Sequence, residues 1–293
     1  MIMNKSNFEI SDQSTLILFE DGSRRCKGFY DFAENVESSY LLKVHDGEET
    51  ISNVNNIIDC GEKKRVGLIS DVVNIAQKHS GTINIDVSIL SRFELLFLLR
   101  MIYEVGRFDD LQILYSEPGD YSTDQYQKNP VGIKKISSIP GFVNKAPLNK
   151  KIVLILFLGF EPARSMAIYD HIDPDETYLI IPDPPYYSEW MGRSERMNAS
   201  LIDTVRSENI LRMHSSDHHQ FERQFEELAN AVDIGNVNCR ISPLSTKPQS
   251  LGLFNYWRQS RGDFSLIYCS LSDEKKLYDP VGIGEQHILK EAE

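Results

Sequence analysis

The segment Pro243-Leu244-Ser245-Thr246-Lys247-Pro248 places two hydroxyls and an ammonium directly before a proline suited to the first turn of a helix. A helix start presents unpaired N–H groups and the positive end of the helix dipole, so side chains and backbone together make a compact anion site there. A second such turn reads Gly159-Phe160-Glu161-Pro162-Ala163-Arg164. Gly159 lets the backbone approach a ligand, while Glu161 and Arg164 stand one helical turn apart, aimed at a ligand or paired with each other. The third, Asp86-Val87-Ser88-Ile89-Leu90-Ser91-Arg92, offers a carboxylate, two hydroxyls and a guanidinium able to grip a phosphate with two N–H groups. The alternative there is that Ser91 caps a helix and Arg92 pairs with an acid.

Two further segments mix acids and aromatics: Tyr115-Ser116-Glu117, and Asp183-Pro184-Pro185-Tyr186-Tyr187. Tyr115 or Tyr186 would stack a base. Asp86, Glu117, Glu161 and Asp183 are the candidate catalytic carboxylates, as acid, base or ligands of Mg²⁺ if the chain is an enzyme. No GxGxxG fingerprint and no GK[ST] phosphate loop is present, so NAD, FAD and conventional ATP hydrolysis are not expected, nor is any resident cofactor. His214 and His218 have a spacing that on a helix would suit zinc, but no HExxH accompanies them, and a polar loop with no metal is the expectation. The stretch Tyr278–Glu285, with Gly282 and Gly284, reads as a glycine-hinged lid or as a tight turn.

These residues need a frame that brings strand ends and helix starts together. Short apolar runs rich in β-branched residues, each followed by a turn and a helix-length segment, supply one: Thr82–Val87, Arg92–Val105 and Leu111–Tyr115; then Lys151–Leu158, Pro162–His171 and Thr177–Ile181; then Asn238–Ile241, Pro248–Arg261 and Phe264–Cys269. The fold class is α/β, Rossmann-like, with a mainly parallel sheet and helices on both faces. Phe221–Val232 has the apolar spacing of a surface helix. Residues 1–80 read as an N-terminal α/β extension or subdomain, and 81–293 as the Rossmann-like domain, with a long loop over 122–150 where Pro130, Pro140 and Pro147 break any periodicity. An echo runs through the chain: Ser88, Ser91 and Tyr115 recur as Ser242, Ser245 and Tyr268 at nearly the same separations, which suits two fused Rossmann-like halves.

Around Thr246 and Lys247 the chain resembles the ligand-sensing Rossmann-like domains of CRISPR-associated proteins, the CARF domains. In that family a Gly-Thr-Lys segment between a late strand and its helix contacts a cyclic oligonucleotide. Thr246 and Lys247 match the Thr-Lys, and Ser245 stands where the family has glycine. The detailed likeness is confined to this segment, and the rest of the chain matches in outline. The resemblance implies a sensor half or a stand-alone relative in prokaryotic antiviral defence, without an appended nuclease.

Composition narrows the partners. With 31 basic against 43 acidic side chains the formal charge is −12, which opposes tight non-specific binding of DNA; a nucleotide or other phosphorylated small ligand, a protein partner or a homo-oligomer fits better. Hydrophobic residues at 41% and charged residues at 25% exclude disorder as a whole-chain reading. No apolar run is long enough to span a membrane, and Cys26, Cys60, Cys239 and Cys269 form neither a disulfide framework nor a metal knuckle; a cytoplasmic protein with reduced thiols is expected. Three functions remain open on the residues alone. They are a nucleotide-ligand sensor with Arg92, Arg164, Thr246 and Lys247 neutralising phosphate, an enzyme acting on a nucleotide or nucleoside, and a scaffold subunit of a defence complex.

Overall fold

The apolar runs assemble into two six-stranded sheets, each mostly parallel. The computed structural model describes residues 10–21, 24–43, 54–60, 65–121, 132–144, 149–260, 262–272 and 280–290. Its chain divides into unit 1, residues 1–130 with 273–293, and unit 2, residues 131–272. Unit 2 is therefore inserted into the sequence of unit 1.

Unit 1 holds β1 (Thr15–Glu20), β2 (Ser38–Lys43), β3 (Asn56–Asp59), β4 (Ile83–Asp86), β5 (Leu111–Tyr121) and, after the insertion, β12 (Pro280–Lys290). The order across the sheet is β12-β5-β4-β1-β2-β3, parallel except for β12, which runs antiparallel to β5. A 3-10 segment, Arg24–Asn35, follows β1, and helices α1 (Arg65–Lys78) and α2 (Arg92–Glu104) precede β4 and β5. All six residues of β1 are buried, as a central parallel strand covered on both faces requires. Helix α2 opens on a capping box in which Ser91 Oγ accepts from Glu94 N at 3.2 Å and Glu94 Oε2 accepts from Ser91 N at 2.7 Å.

Unit 2 holds β6 (Ile133–Ser138), β7 (Ile152–Phe157), α3 (Pro162–Ile172), β8 (Glu176–Pro182), α4 (Arg193–Met197), α5 (Ala199–Ile202), β9 (Ile210–Met213), α6 (His218–Val232), β10 (Asn238–Pro243), α7 (Lys247–Gln259) and β11 (Ser265–Leu271). Its order is β6-β11-β10-β7-β8-β9, again with one antiparallel edge, β6 on β11. Helix α6 buries Phe221, Phe225 and Leu228, a stripe at helical spacing. The Phe157 ring at the end of β7 lies 5.4 Å from Phe221 and 6.1 Å from Phe225. Gly252 of α7 lets that helix close on α6: a Cβ there would stand 2.6 Å from the carbonyl of His218 and 2.7 Å from the Phe221 ring.

Both units share one pattern. Along the parallel strands the chain starts in the middle of the sheet, winds outward through three strands, returns to the other side of the first strand and winds outward again; the antiparallel edge comes last in unit 1, as β12, and first in unit 2, as β6. Right-handed crossovers in opposite directions place helices on opposite faces, which is the doubly wound, Rossmann-like α/β layout expected from the sequence.

Other expectations need correction. The division near residue 80 is crossed by sheet pairing, since β1 and β4 are hydrogen-bonded neighbours. The short N-terminal strands hid their parallel partners because those partners are remote in sequence. The 122–150 loop contains β6, paired with β11 through Ile136 and Cys269; residues 122–131 and 145–148 lie outside the described residues. An exposed edge strand carries little apolar signal. The supposed lid is sheet from Pro280 onward, with Gln286 opposite Ser116 and His287 opposite Tyr115; Tyr278 and Asp279 lie outside the described residues. No helix among the described residues is long and apolar enough to cross a membrane.

All four cysteines are buried and unbridged. Burial pushes the Cys26 thiol up to about 11, against a hydrogen bond from Tyr30 that pulls it down, and raises Cys239 further still. The raised Cys26 pKa means the folded chain holds a proton that the unfolded chain has released. Its stabilising contribution is intact below pH 9 and is lost as pH rises through 11. We expect the urea midpoint of unit 1 to fall across that window in the wild type and to fall less in Cys26→Ser. Gly252→Ala should lower the stability of unit 2 by about 1–3 kcal/mol, because the obstructing atom is backbone, and chemical denaturation followed by tyrosine and tryptophan fluorescence measures it.

Candidate functional site

In a doubly wound sheet the two loops that follow the central strands diverge to opposite faces and leave a crevice at the carboxyl ends of those strands. In unit 2 this point lies between β7 and β10, in unit 1 between β1 and β4. The Gly159–Arg164 and Pro243–Pro248 turns fall on the first of these, one after β7 and one after β10. The Asp86–Arg92 turn follows β4 and belongs to the other sheet, so no single sheet edge carries all three.

In unit 2 the two turns are packed hard together. A Cβ on Gly159 would stand 2.4 Å from the carbonyl oxygen of Leu244 and 4.0 Å from Ser245 Cα, an approach only glycine allows. The Gly159 carbonyl accepts from Asn198 Nδ2 at 2.9 Å and from Ser194 Oγ at 3.2 Å, which ties the α4–α5 segment onto the same turn. Thr246 is the N-cap of α7: its Oγ1 accepts from Gln249 N at 3.3 Å and donates to the Ser215 carbonyl at 2.5 Å. Lys247 is the first residue of that helix and Pro248 the second, and both are buried, as is Ser245.

Arg164 and Glu161 form the pair that their spacing allowed. The guanidinium is 1% exposed, donates to Glu161 Oε2 at 2.6 Å and to Tyr268 Oη at 3.2 Å, and lies 4.9 Å from the Tyr268 ring centroid. Asp183 and Tyr186 follow β8 and are half-buried. His214 Nδ1 accepts from Asp217 N at 2.9 Å, and Asp217 caps α6. Burial would raise the Asp217 carboxyl, but the N–H groups of Gln220 and His219 and the nearby His214 outweigh it and hold it below its ordinary value. The histidine segment is thus the N-terminal lead of a helix, and among the described residues no group of three or more metal-ligating side chains occurs.

Several polar atoms near this edge have no hydrogen-bond partner among the described residues: Ser165 Oγ, Ser242 Oγ, Asn198 Oδ1 and Gln249 Oε1, each on a residue no more than 1% exposed. The two carboxamides are oriented by their own nitrogens. Asn198 Nδ2 donates to the carbonyls of Gly159 and Ser194, and Gln249 Nε2 to those of Met213 and His214 at 3.3 and 3.1 Å. A carbonyl can be served only by the NH₂ side, so both amide oxygens are fixed as acceptors pointing elsewhere.

Unit 1 uses its corresponding edge differently. Asp86 Oδ1 accepts from Ser88 N at 2.9 Å and from the Ser88 hydroxyl; Ser88 Oγ accepts from Ser116 N at 2.7 Å. The Ser116 carbonyl accepts from Arg25 Nη2 at 2.8 Å, and Gln286 Nε2 donates to the Gly28 carbonyl at 2.5 Å and to Ser116 Oγ at 3.4 Å. Glu117 is buried against His287 Nε2 at 2.8 Å, and Tyr115 is stacked on the His287 ring with Arg25 5.6 Å from its centroid. Ser91 caps α2, and Arg92 is that helix's first residue. These polar groups knit β4, β5, β12 and the 3-10 segment to one another. Asp86, Glu117 and Glu161 each have a protein partner.

One feature of unit 2 had no sequence signal. The Arg193 guanidinium lies 4.5 Å from the Phe160 ring centroid and 6.0 Å from that of Trp190, and among the described residues its side chain makes no hydrogen bond or ion pair. Spacing along the chain could not bring residues 160, 190 and 193 together; the Gly159 hydrogen bonds do.

The fold and this edge define an α/β protein of two doubly wound, Rossmann-like units. No protein-family model matches the chain, and no curated protein matches it. Among solved structures it is similar to Can2 from Sulfobacillus thermosulfidooxidans, solved in complex with cyclic tetra-adenylate, at 16% identity and a TM-score of 0.30; the match covers 44% of this chain and only 38% of Can2. It is similar to the UDP-GlcNAc 2-epimerase of Neisseria meningitidis bound to UDP-GlcNAc at 7% identity and 0.26, over 85% of this chain and 91% of that one. A universal stress protein from Archaeoglobus fulgidus follows at 9% and 0.25, over 90% and 99%.

Arg164→Met should destabilise unit 2 by about 3–5 kcal/mol with no ligand present, because it strands the Glu161 carboxylate in a buried site. The double variant Glu161→Leu with Arg164→Met should recover most of that loss. A double-mutant cycle in urea measures both, and an undiminished stability in Arg164→Met would contradict the pairing.

Proposed function

We propose that the chain is a nucleotide-ligand binding protein whose site is the carboxyl edge of β7 and β10 in unit 2, and that it serves as a sensor in prokaryotic antiviral defence. The observation that carries the site is the set of buried polar atoms without partners beside the Gly159–Leu244 approach and the start of α7. A buried acceptor or hydroxyl without a hydrogen bond costs about 1–3 kcal/mol, and a bound molecule that supplies the missing bonds removes that cost. The Lys247 ammonium and the positive end of the α7 dipole favour an anionic group there, and phosphate suits them. The fixed amide oxygens of Asn198 and Gln249 accept from N–H or O–H groups, which a nucleotide carries on its base and ribose. The sensor role is supported by the match of Thr246 and Lys247 to the Thr-Lys of the CARF segment.

The division of labour between the units follows from charge. Unit 1 presents Asp86 and Glu20 at the ends of β4 and β1, buried carboxylates that repel phosphate. Ligand recognition in this reading belongs to unit 2.

A thermal-shift screen against nucleoside monophosphates, linear dinucleotides and cyclic oligonucleotides tests the reading. A compound at 100 times its dissociation constant stabilises by about 2.7 kcal/mol, a shift of roughly a few degrees for a chain of this size. The shift should be lost in Lys247→Ala and in Lys247→Gln, each compared with its own unliganded melting point. The absence of a shift with every compound would overturn the proposal.

A further inference from the structure

Resting on that reading of the unit 2 edge, we infer that Arg193, held on the faces of Phe160 and Trp190, is a second anion-binding residue of the site, so that the ligand carries at least two phosphate groups. Arg193 departs from the way the neighbouring cations of unit 2 are arranged. Arg164 is paired with Glu161, Arg212 Nη2 is 2.5 Å from Glu195 Oε1, and Arg196 Nη1 donates to the Met191 carbonyl at 3.0 Å. Arg193 has neither carboxylate nor carbonyl among the described residues, although Glu195 lies only two residues away and is used by Arg212 instead.

The guanidinium is also pre-positioned. Phe160 follows Gly159 directly, its ring centroid is 5.5 Å from that of Trp190 at right angles, and Tyr187 stands 4.8 Å from Trp190 on another side. Trp190 is nearly buried, so the platform under Arg193 is rigid. A planar guanidinium resting on a ring keeps its N–H edge open while losing little further freedom on binding, which is the arrangement that suits two-point recognition of a phosphate. Ser194 and Asn198, on the same short segment, are both bonded to the Gly159 carbonyl, so the segment carrying Arg193 is fastened to the turn that meets Leu244. Lys247 and Arg193 reach that turn through different neighbours, Lys247 along the chain from Leu244 and Arg193 through the Phe160 ring. Two phosphates of one molecule would engage both cations.

Isothermal titration of the full chain with 5′-AMP and with the dinucleotide pApA tests this, using the wild type, Arg193→Gln and Phe160→Leu. Losing a charge-assisted hydrogen-bonded contact should weaken pApA roughly tenfold or more in Arg193→Gln, leave 5′-AMP within about twofold, and reduce the salt dependence of pApA binding. Phe160→Leu should weaken pApA in the same sense but by less, because the charge remains while its platform is gone. If Arg193→Gln binds pApA as the wild type does, or loses both probes equally, Arg193 is a packing residue and the inference falls while the site at Lys247 stands. If the wild type binds neither probe, both readings fall. An unliganded melting point for Arg193→Gln matching the wild type excludes misfolding as the cause of a loss.

Discussion

The contact of Gly159 with the Leu244 carbonyl is the constraint on which the unit 2 edge depends. Two parallel strands side by side must send their following loops apart, to helices on opposite faces, and the ends of the strands would otherwise stand open to water. Here the backbones close on one another at a single glycine, and the carbonyl of that same glycine then gathers Ser194 and Asn198. The start of α7, the aromatic cluster and the Asn198 amide take their positions from this junction.

Much of the frame was legible because buried parallel strands are continuous apolar runs. Lys151–Leu158 and Thr82–Val87 announced β7 and β4 by composition alone, while Ser91 and Pro248 marked the starts of α2 and α7. The edges were not legible. In β3 most residues and in β6 half face solvent and none is buried, so Asn56–Asp59 and Ile133–Ser138 have no alternation to read, and β12 carries glycines that resembled a hinge. Partition into two sheets was invisible for a different reason: strand order is a property of pairing over long sequence distances, and only the repeated Ser and Tyr spacing hinted at it.

The candidate residues divide along chemistry rather than along the chain. Hydroxyls placed next to helix starts became caps, as Ser91 and Thr246 show, and charged groups one turn apart found each other, as Glu161 and Arg164 show. Local rules therefore explain the residues they could reach. The amide oxygens of Asn198 and Gln249 and the Arg193 guanidinium had no sequence signal because their interest lies in what the fold withholds from them, and no spacing rule encodes that.

The insertion of unit 2 between β5 and β12 sets an order of assembly. Tyr121 and Pro280 are paired neighbours in unit 1, and Ile133 and Leu271 are paired neighbours in unit 2, so both chain crossings leave each unit from one place. During synthesis β5 emerges long before its edge partner, and the unit 1 sheet waits unfinished while residues 131–272 are made. Once unit 2 has folded, its own ends stand together, and the effective loop that β12 must close shrinks from the whole insertion to two short connections. The slow, non-local step of the host is thereby handed to the guest, whose β7, β8 and β9 pair in order of translation while β7 waits for β10 and β6 for β11.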